Sequence, residues 1–443
     1  MFLHRQRGSG GPARCAADCR LAGSMSHYAV IAPPFYSHVK ALEALAAELA
    51  GRGHRITFIQ QAEARPLLGD PRLAFHAVGE ETHGTGSLPQ TLRLLARPDG
   101  LSLFRLIDNL AGITDMLCRE LPGALKTLEV DGLIVDQMEP AGALAAEAAG
   151  LPFISVACAL PVNREAGLPL PVMPFDYATN ERALRIYQAS ERVHDWMMRR
   201  QNAVLARHAA AYGLTPRRGL HEWLSPLTQI SQTLPSLDFP RYRLPESFHP
   251  VGPLRPPVAA GEPEARLRDA PLIFASLGTL QGHRFGLFKK ITRACRRIGA
   301  ELVIAHCGGL TVSQEEKLRA LGASQVADFV DQPAMIRKAQ AVITHGGFNT
   351  VLDAVVGDTP VLALPIAFDQ PGVAARVVYS GIGERVSRFA TSRTLARQLQ
   401  KVLTKPHYRE RLTEVRADLK RAGGVTLAAT LAEQALDSAQ ERR

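Results

Sequence analysis

The chain has 443 residues, of which 46% are hydrophobic, and this is enough for two domains that each bury a core. Its formal net charge of +10 favours anionic partners such as nucleotides or anionic lipids. Few aromatic residues lie among the basic ones and no nucleic-acid-binding motif occurs, so nucleic acid is not an expected partner. The six cysteines form no CxxC pair and no zinc-type spacing, which fits the reducing cytoplasm, where we expect the protein to act.

Residues 1–24 differ in composition from the rest of the chain. They contain four arginines, several glycines and two cysteines, and they lack the apolar core of a signal peptide. We expect this segment to be disordered and Met25 to be the natural start of the protein. Elsewhere in the sequence, no apolar run approaches the roughly 20 residues that cross a bilayer.

From residue 28 onward, short apolar runs alternate with amphipathic stretches of helical period. Strands are predicted at 28–32, 55–59, 133–136, 153–157 and 230–233, and helices at 39–50, 88–128, 141–149 and within 181–220. The short connections are typical of βαβ units in a parallel sheet. The helices of 181–220 are basic, with eight Lys or Arg residues against three Asp or Glu residues.

Residues 240–270 contain the densest proline stretch of the chain, which predicts a semi-rigid linker. The alternation then resumes, with strands predicted at 272–276, 302–305, 326–330, 341–344 and 361–365 and helices at 285–298, at 348–355 and beyond 393. The expected fold class is therefore α/β, with two Rossmann-like, doubly wound parallel-sheet domains that face each other across a cleft. The first domain would comprise residues 25–239, and the second would comprise 271–443 with the C-terminal helices.

A strand that continues through two glycines into a helix is the first functional signal. The strand at 341–344 stops at His345, and a helix begins directly after Gly347. Free backbone N–H groups and the positive end of the helix dipole make such a turn a site for an anion, usually phosphate. Ser276, Gly278 and Thr279 follow the first strand of the same domain and could hold the other side of a diphosphate. The alternative is a turn without a ligand.

Polar side chains near this turn indicate a sugar nucleotide. Asp353 lies one helical turn after Asn349 and could accept hydrogen bonds from the two hydroxyls of a ribose, whereas the alternative is a solvated helix acid. Asp369 and Gln370 follow the next strand and could bind the hydroxyls of a sugar. A phosphate site at one strand end and a polyol site at the next predict a nucleotide sugar as the ligand.

His38 and Asp136 are candidates for a general base and its partner. His38 lies between the first strand and the first helix, and Asp136 ends another strand of the same domain. In a parallel sheet both side chains would lie at the same edge, where α/β proteins bind ligands. A histidine oriented by a carboxylate can take the proton from an acceptor hydroxyl. The alternative is a histidine that belongs to the core or to the start of the helix.

The motifs of several other nucleotide-dependent enzymes are absent. The sequence has no GxxxxGK[ST], no GxGxxG after a strand, no HExxH and no DxD. Hydride transfer, P-loop phosphoryl transfer and metal-dependent sugar transfer are therefore disfavoured. A leaving diphosphate would be stabilised by helix ends, hydroxyls and His345, without a metal. No other cofactor is expected.

With these residues identified, the chain resembles the UDP-glycosyltransferase family, whose members have the GT-B fold. The resemblance rests on a block of about forty residues whose spacing corresponds to the family signature at these positions: Phe329, Gln332, Thr344, His345, Gly347, Phe348, Asn349, Thr350, Asp353, Gly357, Pro360, Pro365, Asp369 and Gln370. The opening segment, residues 32–61, resembles that of family members in bacterial carotenoid pathways.

The resemblance implies that the second domain binds UDP-glucose as a co-substrate. Gln332 and Phe329 would lie beside the uracil, and Asp353 would hold the ribose. Asp369 and Gln370 would bind the glucose hydroxyls. The diphosphate would be lined by Ser276, Gly278, Thr279, His345, Asn349 and Thr350. Family members need no metal and invert the anomeric configuration.

The resemblance also implies that the first domain binds the acceptor, with His38 as the base and Asp136 as its partner. The expected acceptor is a hydroxyl group of zeaxanthin or a similar carotenoid, and the expected product is a β-glucoside. Because a carotenoid is dissolved in the membrane, we expect residues 92–110 and the basic helices of 181–220 to contact an anionic bilayer, on its inner face. The alternative is that these helices pack on the sheet with their arginines in solvent.

Three positions depart from the family pattern. Phe329 stands where plant relatives usually have tryptophan, Asp353 replaces a glutamate, and Asp331 replaces a proline. These changes affect donor affinity and the choice between UDP and TDP, and leave the reaction type unchanged. The alternative functions are the same transfer to a macrolide, flavonoid or sterol, a nucleotide-sugar epimerase, and a non-catalytic protein that binds a nucleotide sugar.

Overall fold

The computed structural model describes residues 25–98, 100–256 and 270–442. The predicted extension 1–24, with its expected disorder, and residues 257–269 of the predicted linker lie outside the described residues. The described residues form two α/β domains, each built around one parallel sheet.

In the described residues of the first domain, seven strands form the sheet: β1 (His27–Ile31), β2 (Arg55–Gln61), β3 (Ala74–Val78), β4 (Gly132–Asp136), β5 (Phe153–Ala157), β6 (Gln229–Ser231) and β7 (Phe248–Pro250). All neighbours are parallel, and the order is β3-β2-β1-β4-β5-β6-β7. The order reverses between β1 and β4, where Ile31 lies beside Val135. Such a reversal leaves a crevice at the carboxyl ends of the strands.

The second sheet repeats this design with six described strands: β8 (Leu272–Ser276), β9 (Glu301–Ala305), β10 (Gln325–Ala327), β11 (Ala341–Thr344), β12 (Val361–Ala363) and β13 (Gly383–Arg385). They are parallel, in the order β10-β9-β8-β11-β12-β13. Here the reversal lies between β8 and β11, and Ser276 pairs with Thr344 at their ends. Both sheets therefore have the doubly wound order that the sequence predicts.

Helices cover both faces of each sheet. The first part of the chain contains α1 (Tyr36–Gly51), α2 (Ser87–Ala96), α3 (Leu101–Leu128), α4 (Pro140–Ala148), α5 (Glu181–Met197) and α6 (Arg199–Ala211). The second part contains α7 (Gly278–Gln281), α8 (Phe285–Arg297), α9 (Val312–Ala320), α10 (Gln332–Lys338), α11 (Phe348–Val356), α12 (Gln370–Tyr379), α13 (Ser392–Thr404), α14 (His407–Arg421) and α15 (Gly424–Gln440). The single helical region predicted at 88–128 is two helices, and Gly100 directly precedes the second with a positive φ of 54°.

The central strands of both sheets, such as β1, β4, β8 and β11, are largely apolar and buried on both faces. In β1, Tyr28 and Val30 pack in one core layer, whereas Ala29 and Ile31 pack in the layer on the opposite face. All five residues of β1 are buried. Burial on both faces explains why these strands appear in the sequence as continuous apolar runs and not as alternating ones.

One strand of the first sheet comes from the segment predicted to be a linker. β7 pairs with β6, and the N–H of Val251 donates to the carbonyl of Ser231 at 2.8 Å. Val251 and Leu254 are buried in the first core. The first domain therefore extends beyond the predicted boundary at residue 239. Proline was the misleading signal, since an edge strand such as β7 tolerates Pro250, which has no N–H to donate.

The last helix corrects the other boundary, because α15 packs on the first domain and not on the second. Its apolar side places Val425, Ala428, Ala429, Ala432 and Leu436 in the core layer that contains β1 and α1. Polar contacts support the same placement, with Tyr28 Oη donating to Asp437 Oδ1 at 3.1 Å and Arg52 paired with Glu433 at 2.7 Å. The prediction that all of 271–443 belongs to the second domain is therefore wrong for α15.

A buried ion pair joins the two domains on one side of the cleft. Arg376 of α12 is 1% exposed, and its Nε lies 2.5 Å from Oδ1 of Asp238. Arg241 binds the other oxygen of Asp238 at 2.7 Å, and the guanidinium of Arg376 lies over the ring of Phe239.

Within the described ranges, no helix combines the length and the apolar composition that a bilayer crossing requires.

Candidate active site

The crevices of the two sheets open onto one cavity between the domains, with a volume of about 870 Å³. This size suits a small-molecule ligand. All twelve residues predicted to bind the donor line the cavity: Ser276, Gly278, Thr279, Phe329, Gln332, His345, Gly347, Asn349, Thr350, Asp353, Asp369 and Gln370. His38 lines it from the first domain, and Asp136 lies behind His38 and is fully buried.

His38 and Asp136 form the hydrogen-bonded pair that their positions at neighbouring strand ends predict. His38 is in the first turn of α1, after β1, and Asp136 is the last residue of β4. His38 Nδ1 lies 2.7 Å from Asp136 Oδ2. The other oxygen, Oδ1, accepts from the N–H of Met138 at 2.9 Å and fixes the carboxylate. Because Nδ1 is hydrogen-bonded to Asp136, Nε2 is the ring nitrogen of His38 that remains to accept a proton.

The electrostatic environment of His38 suits a base that must hold a proton briefly. Burial alone would lower its pKa, but the charge and the hydrogen bond of Asp136 outweigh burial, so the pKa of His38 is raised. Asp369 of the second domain adds to this rise. In turn, burial raises the pKa of the Asp369 carboxyl, and the charge of His38 opposes that rise. His38 and Asp369, which is predicted to bind the sugar, therefore influence each other's pKa across the cavity.

His345 is held between the backbones of two glycines. A Cβ atom added to Gly278 or to Gly347 would lie 2.6 Å from Cε1 of the imidazole, closer than real contacts allow. Gly278 also has a positive φ of 71°, which disfavours any side chain there. Burial lowers the pKa of His345 to about 4, so the ring is neutral near pH 7. It can form hydrogen bonds with an anion but contributes no charge.

The carboxylate of Asp353 has two protein partners. It lies on α11 and is 6% exposed. Gln332 donates through Nε2 to Oδ2 at 2.8 Å, and Arg255 Nε lies 2.8 Å from Oδ1. Burial raises the pKa of Asp353, and the charge of Arg255 and the hydrogen bond of Gln332 oppose the rise. The solvated helix acid considered as an alternative is therefore wrong for this residue.

Asn349 is engaged across the domain boundary. Its Oδ1 accepts from Gln232 Nε2 at 3.1 Å, and its Nδ2 donates to the carbonyl of Ser37 at 3.3 Å. Both partners belong to the first domain. The side chain of Asn349 thus ties the start of α11 to the residue before His38, in addition to lining the cavity.

Gln370 uses one end of its amide to shape the loop before α12. Its Oε1 accepts from the N–H groups of Ile366 and Ala367 at 2.9 and 2.8 Å. The Nε2 group is the end that remains for a ligand.

Phe329 differs from the other predicted residues, since it lines the cavity but is 70% exposed.

Two groups of side chains in the described residues have the composition of a metal site. In the first, atoms of His38, Asp136 and Cys158 lie within 4.8 Å of one another. Burial raises the pKa of the Cys158 thiol well above its ordinary value, so the sulfur is protonated and a weak ligand. The second group consists of His306, Glu315 and Asp328. There His306 Nδ1 accepts from Leu310 N, which leaves the proton on Nε2, the atom that faces both carboxylates.

The first domain also contributes a cavity wall that the sequence analysis did not identify. Its apolar members include Leu95, Met138, Leu160, Leu170, Val172 and Met198. A pair of charged side chains interrupts this apolar wall: Arg164 Nη1 donates to Asp195 Oδ2 at 2.9 Å. Asp195 and Met198 lie within the stretch 181–220, predicted to face lipid. The helical period of residues 181–197 was the available signal for this wall in the sequence. It allows one side of α5 to face a ligand while the other side faces solvent.

Comparisons with known proteins agree with this arrangement. A family profile described as UDP-glucoronosyl and UDP-glucosyl transferase matches residues 272–418. The zeaxanthin glucosyltransferase of Pantoea ananas is 56% identical over 419 residues, which are 94% of this chain and 97% of the relative. The zeaxanthin glucosyltransferase of Pseudescherichia vulneris is 54% identical over 416 residues, which are 93% and 98% of the two chains.

Solved structures match the whole fold at low identity. The calicheamicin glycosyltransferase CalG4 has a TM-score of 0.71 and 20% identity, over 94% of this chain and 99% of that chain. The glycosyltransferase VinC, solved in complex with DTDP, has a TM-score of 0.63 and 18% identity, over 94% and 100%. Two doubly wound domains around a shared cavity thus define a glycosyltransferase of the GT-B fold, as predicted. The chain belongs to the UDP-glucoronosyl and UDP-glucosyl transferase family.

The glycines around His345 lead to a prediction. Replacing Gly347 by alanine should weaken the binding of UDP about tenfold, or about 1.4 kcal/mol, because the new methyl group displaces the imidazole or the start of α11. Titration calorimetry with UDP measures this effect. Gly286→Ala is the matched control, since no atom lies within 4 Å of its Cβ position in α8. Unchanged UDP affinity in Gly347→Ala would show that the packing of His345 does not matter for the donor.

Proposed function

We propose that this protein transfers glucose from UDP-glucose to the hydroxyl groups of zeaxanthin or a similar hydroxylated carotenoid. The observation that carries the proposal is the His38–Asp136 pair, which faces the predicted donor residues across one cavity. The choice of acceptor follows from two zeaxanthin glucosyltransferases that are more than half identical over nearly their full lengths. In this proposal the first domain binds the acceptor and the second domain binds the donor.

The reaction we propose is a single displacement. The acceptor hydroxyl donates its proton to Nε2 of His38 while its oxygen attacks the anomeric carbon of glucose. The bond between that carbon and the diphosphate oxygen breaks, and its electron pair leaves with UDP. Attack from the side opposite the leaving group inverts the configuration and gives a β-glucoside. Asp136 stabilises the imidazolium that forms and fixes the orientation of the ring.

We propose for the donor residues the roles that the family resemblance implies, and all of these residues line the cavity. Gln332 and Phe329 would contact the uracil, and Asp353 would accept hydrogen bonds from the ribose. The glucose would bind Asp369 and the free amide nitrogen of Gln370. Ser276, Gly278, Thr279, His345, Gly347, Asn349 and Thr350 would surround the diphosphate.

The leaving group would be stabilised by neutral groups and by a helix end. The diphosphate would face the N-terminus of α11, whose dipole and free N–H groups favour an anion. His345, neutral near pH 7, and the hydroxyls of Ser276 and Thr279 would donate hydrogen bonds. We therefore propose a reaction without a metal or another cofactor, with UDP-glucose as the co-substrate.

The acceptor site should receive only one end of a carotenoid. The cavity must also hold the donor, and a sugar nucleotide together with a complete carotenoid exceeds about 870 Å³. The apolar wall of the first domain suits the ring that bears the hydroxyl group, and the polyene would extend outside. A transfer assay with purified protein and UDP-glucose, run with and without a chelator, should give zeaxanthin glucosides. Transfer only to a macrolide, flavonoid or sterol would replace the proposed acceptor.

We also propose that the protein acts at the inner face of the cytoplasmic membrane, through an apolar patch formed by Leu101, Phe104, Val193 and Trp196. On α3 and on α5, the two members of each pair lie one helical turn apart. The rings of Phe104 and Trp196 contact edge to face with centroids 6.3 Å apart. Their exposed fractions are 43% and 55%, and those of Leu101 and Val193 are 78% and 54%.

The charge around the apolar patch is suited to anionic lipid. The exposed arginines near the patch in the sequence are Arg97 before α3, Arg105 on α3, Arg192 on α5, and Arg199 and Arg200 at the start of α6. The guanidinium of Arg199 lies over the ring of Trp196 at 4.3 Å, and Arg200 pairs with Asp108. Aromatic residues beside arginines are typical of proteins that bind a membrane surface. Since the neighbouring residues of α5 line the cavity, a carotenoid would leave the bilayer close to His38.

The His38–Asp136 pair predicts a particular dependence of turnover on pH. His38 must be neutral to accept a proton, so kcat should fall as pH drops through its raised pKa. Asp136→Asn removes the charge that raises this pKa, so the fall should move to lower pH, with a smaller kcat. His38→Ala should lower kcat by about 10²–10⁴-fold and leave UDP affinity nearly unchanged. His407→Ala, an exposed histidine of α14, is the control; normal turnover by His38→Ala would exclude the mechanism.

The apolar patch predicts membrane binding that depends on charge and on two aromatic residues. The wild-type protein should float with vesicles rich in phosphatidylglycerol and not with phosphatidylcholine vesicles, and salt should weaken the binding. The double variant Phe104→Ser, Trp196→Ser should lose most of it. The control is Phe389→Ser, because Phe389 is 77% exposed and lies under Arg388 on the second domain. Equal flotation of the double variant and the wild type would rule out the patch.

A further inference from the structure

The segment that leaves the first domain enters the donor side of the cavity. Leu254 is buried in the core of the first domain, and its N–H donates to Gln232 Oε1 at 2.9 Å. Gln232 is fully buried, and its Nε2 donates to the carbonyl of Cys158 and to Asn349 Oδ1. The chain is therefore fixed to the first domain up to the residue that precedes Arg255.

Arg255 extends from this fixed point to the helix that carries the predicted ribose site. Its Nε lies 2.8 Å from Asp353 Oδ1, and its Nη2 donates to the carbonyl of Asn349 at 2.9 Å. The side chain lines the cavity and is 26% exposed, whereas that of Asp353 is 6% exposed. One guanidinium thus contacts two residues of α11 that are one turn apart.

Arg255 also supplies the positive charge beside α11 in the cavity. Of the described residues that line it, the lysine and arginine side chains are Lys40, Arg164 and Arg255, and none comes from the second domain. The predicted diphosphate site contains hydroxyls, glycines and the neutral His345. The buried carboxylate of Asp353 therefore obtains its charge compensation from outside its own domain.

We propose that Arg255 is a positioning residue for the donor nucleotide, which holds the Asp353 carboxylate ionised and oriented toward the hydroxyl groups of the ribose. This inference rests on the proposed function in one respect, namely that the donor is a UDP-sugar. Gln332 donates to one oxygen of Asp353 and Arg255 pairs with the other, so the orientation of the carboxylate is restrained from two sides. Donor binding by the second domain thereby depends on a side chain delivered by the first.

The neighbours of Asp353 make its response to pH attributable to Arg255. On α10, Gln332 is neutral, and the preceding Asp331 accepts from the N–H of Ala334 at the helix start. On α14, which packs against α11, Arg416 lies 3.8 Å from Asp358. Burial raises the pKa of Asp353, and Arg255 is the charged partner that opposes this rise. Loss of Arg255 should therefore favour the protonated carboxyl most strongly at low pH.

The test measures UDP binding by calorimetry at pH 6 and at pH 8 for Arg255→Ala, Arg255→Gln and Arg255→Lys. We expect Arg255→Ala and Arg255→Gln to weaken UDP about tenfold at pH 8 and clearly more at pH 6. Arg255→Lys should recover much of the affinity because it keeps the charge, although it loses the forked geometry. In transfer assays the KM for UDP-glucose should rise while kcat stays within about threefold of wild type. Arg243→Ala, an exposed arginine of the same segment, should behave as wild type.

Two results would overturn the inference. UDP affinity of Arg255→Ala and Arg255→Gln equal to that of the wild type would exclude any role for Arg255 in donor binding. An equal loss at both pH values, without recovery in Arg255→Lys, would indicate only a structural tie between the domains. If Arg255→Ala does not fold, the Gln and Lys variants provide the same comparison. Failure of the wild type to bind UDP would instead remove the proposed donor, and this inference with it.

Discussion

Parallel pairing at the centre of each sheet is the constraint on which the site depends. Since β1 lies beside β4 and β8 lies beside β11, residues far apart in the sequence end at the same sheet edge. In the first domain this brings His38 to Asp136, and in the second it brings Ser276 to the start of the His345 turn. Two such edges face each other across a cavity, so His38 of the first domain and the His345 turn of the second line the same space.

The contacts between the halves show that the part of the cavity around α11 is not built by one domain alone. Asn349 is bound from the first domain by Gln232 and by the carbonyl before His38, and Arg255 compensates the charge of Asp353. Most of these groups are amides and carbonyls, whose hydrogen bonds are directional and modest in energy. Such contacts can fix the relative orientation of the two edges and still break when a ligand must enter or leave.

The sequence allowed the two doubly wound parallel sheets, the His38–Asp136 pair and the cavity-lining residues of the second domain to be predicted, because each follows from strand ends in a parallel sheet or from a local motif. Arg255 was not found, since nothing in the order of residues indicates that a side chain within a proline-rich segment contacts a helix almost a hundred positions later. The apolar patch was only partly anticipated. Its stretches were noted, but the meeting of Phe104 with Trp196 depends on how α3 and α5 pack. The predicted domain boundaries differ from the structure at β7 and at α15, where the composition of the sequence did not indicate the domain to which each element belongs.

The return of α15 to the first domain has a consequence for exchanging parts between related enzymes. The polypeptide passes between the halves twice, once after β7 and once at Gly423 and Gly424, where both residues have positive φ. The second domain is therefore an insertion within the first domain and not a C-terminal module. A chimera joined at a single point would separate β1 and α1 from the helix that covers them and would expose Leu42, Leu45 and Leu49 to water. An exchange that keeps both cores intact needs two junctions, with residues 424–440 taken from the parent that supplies the first domain.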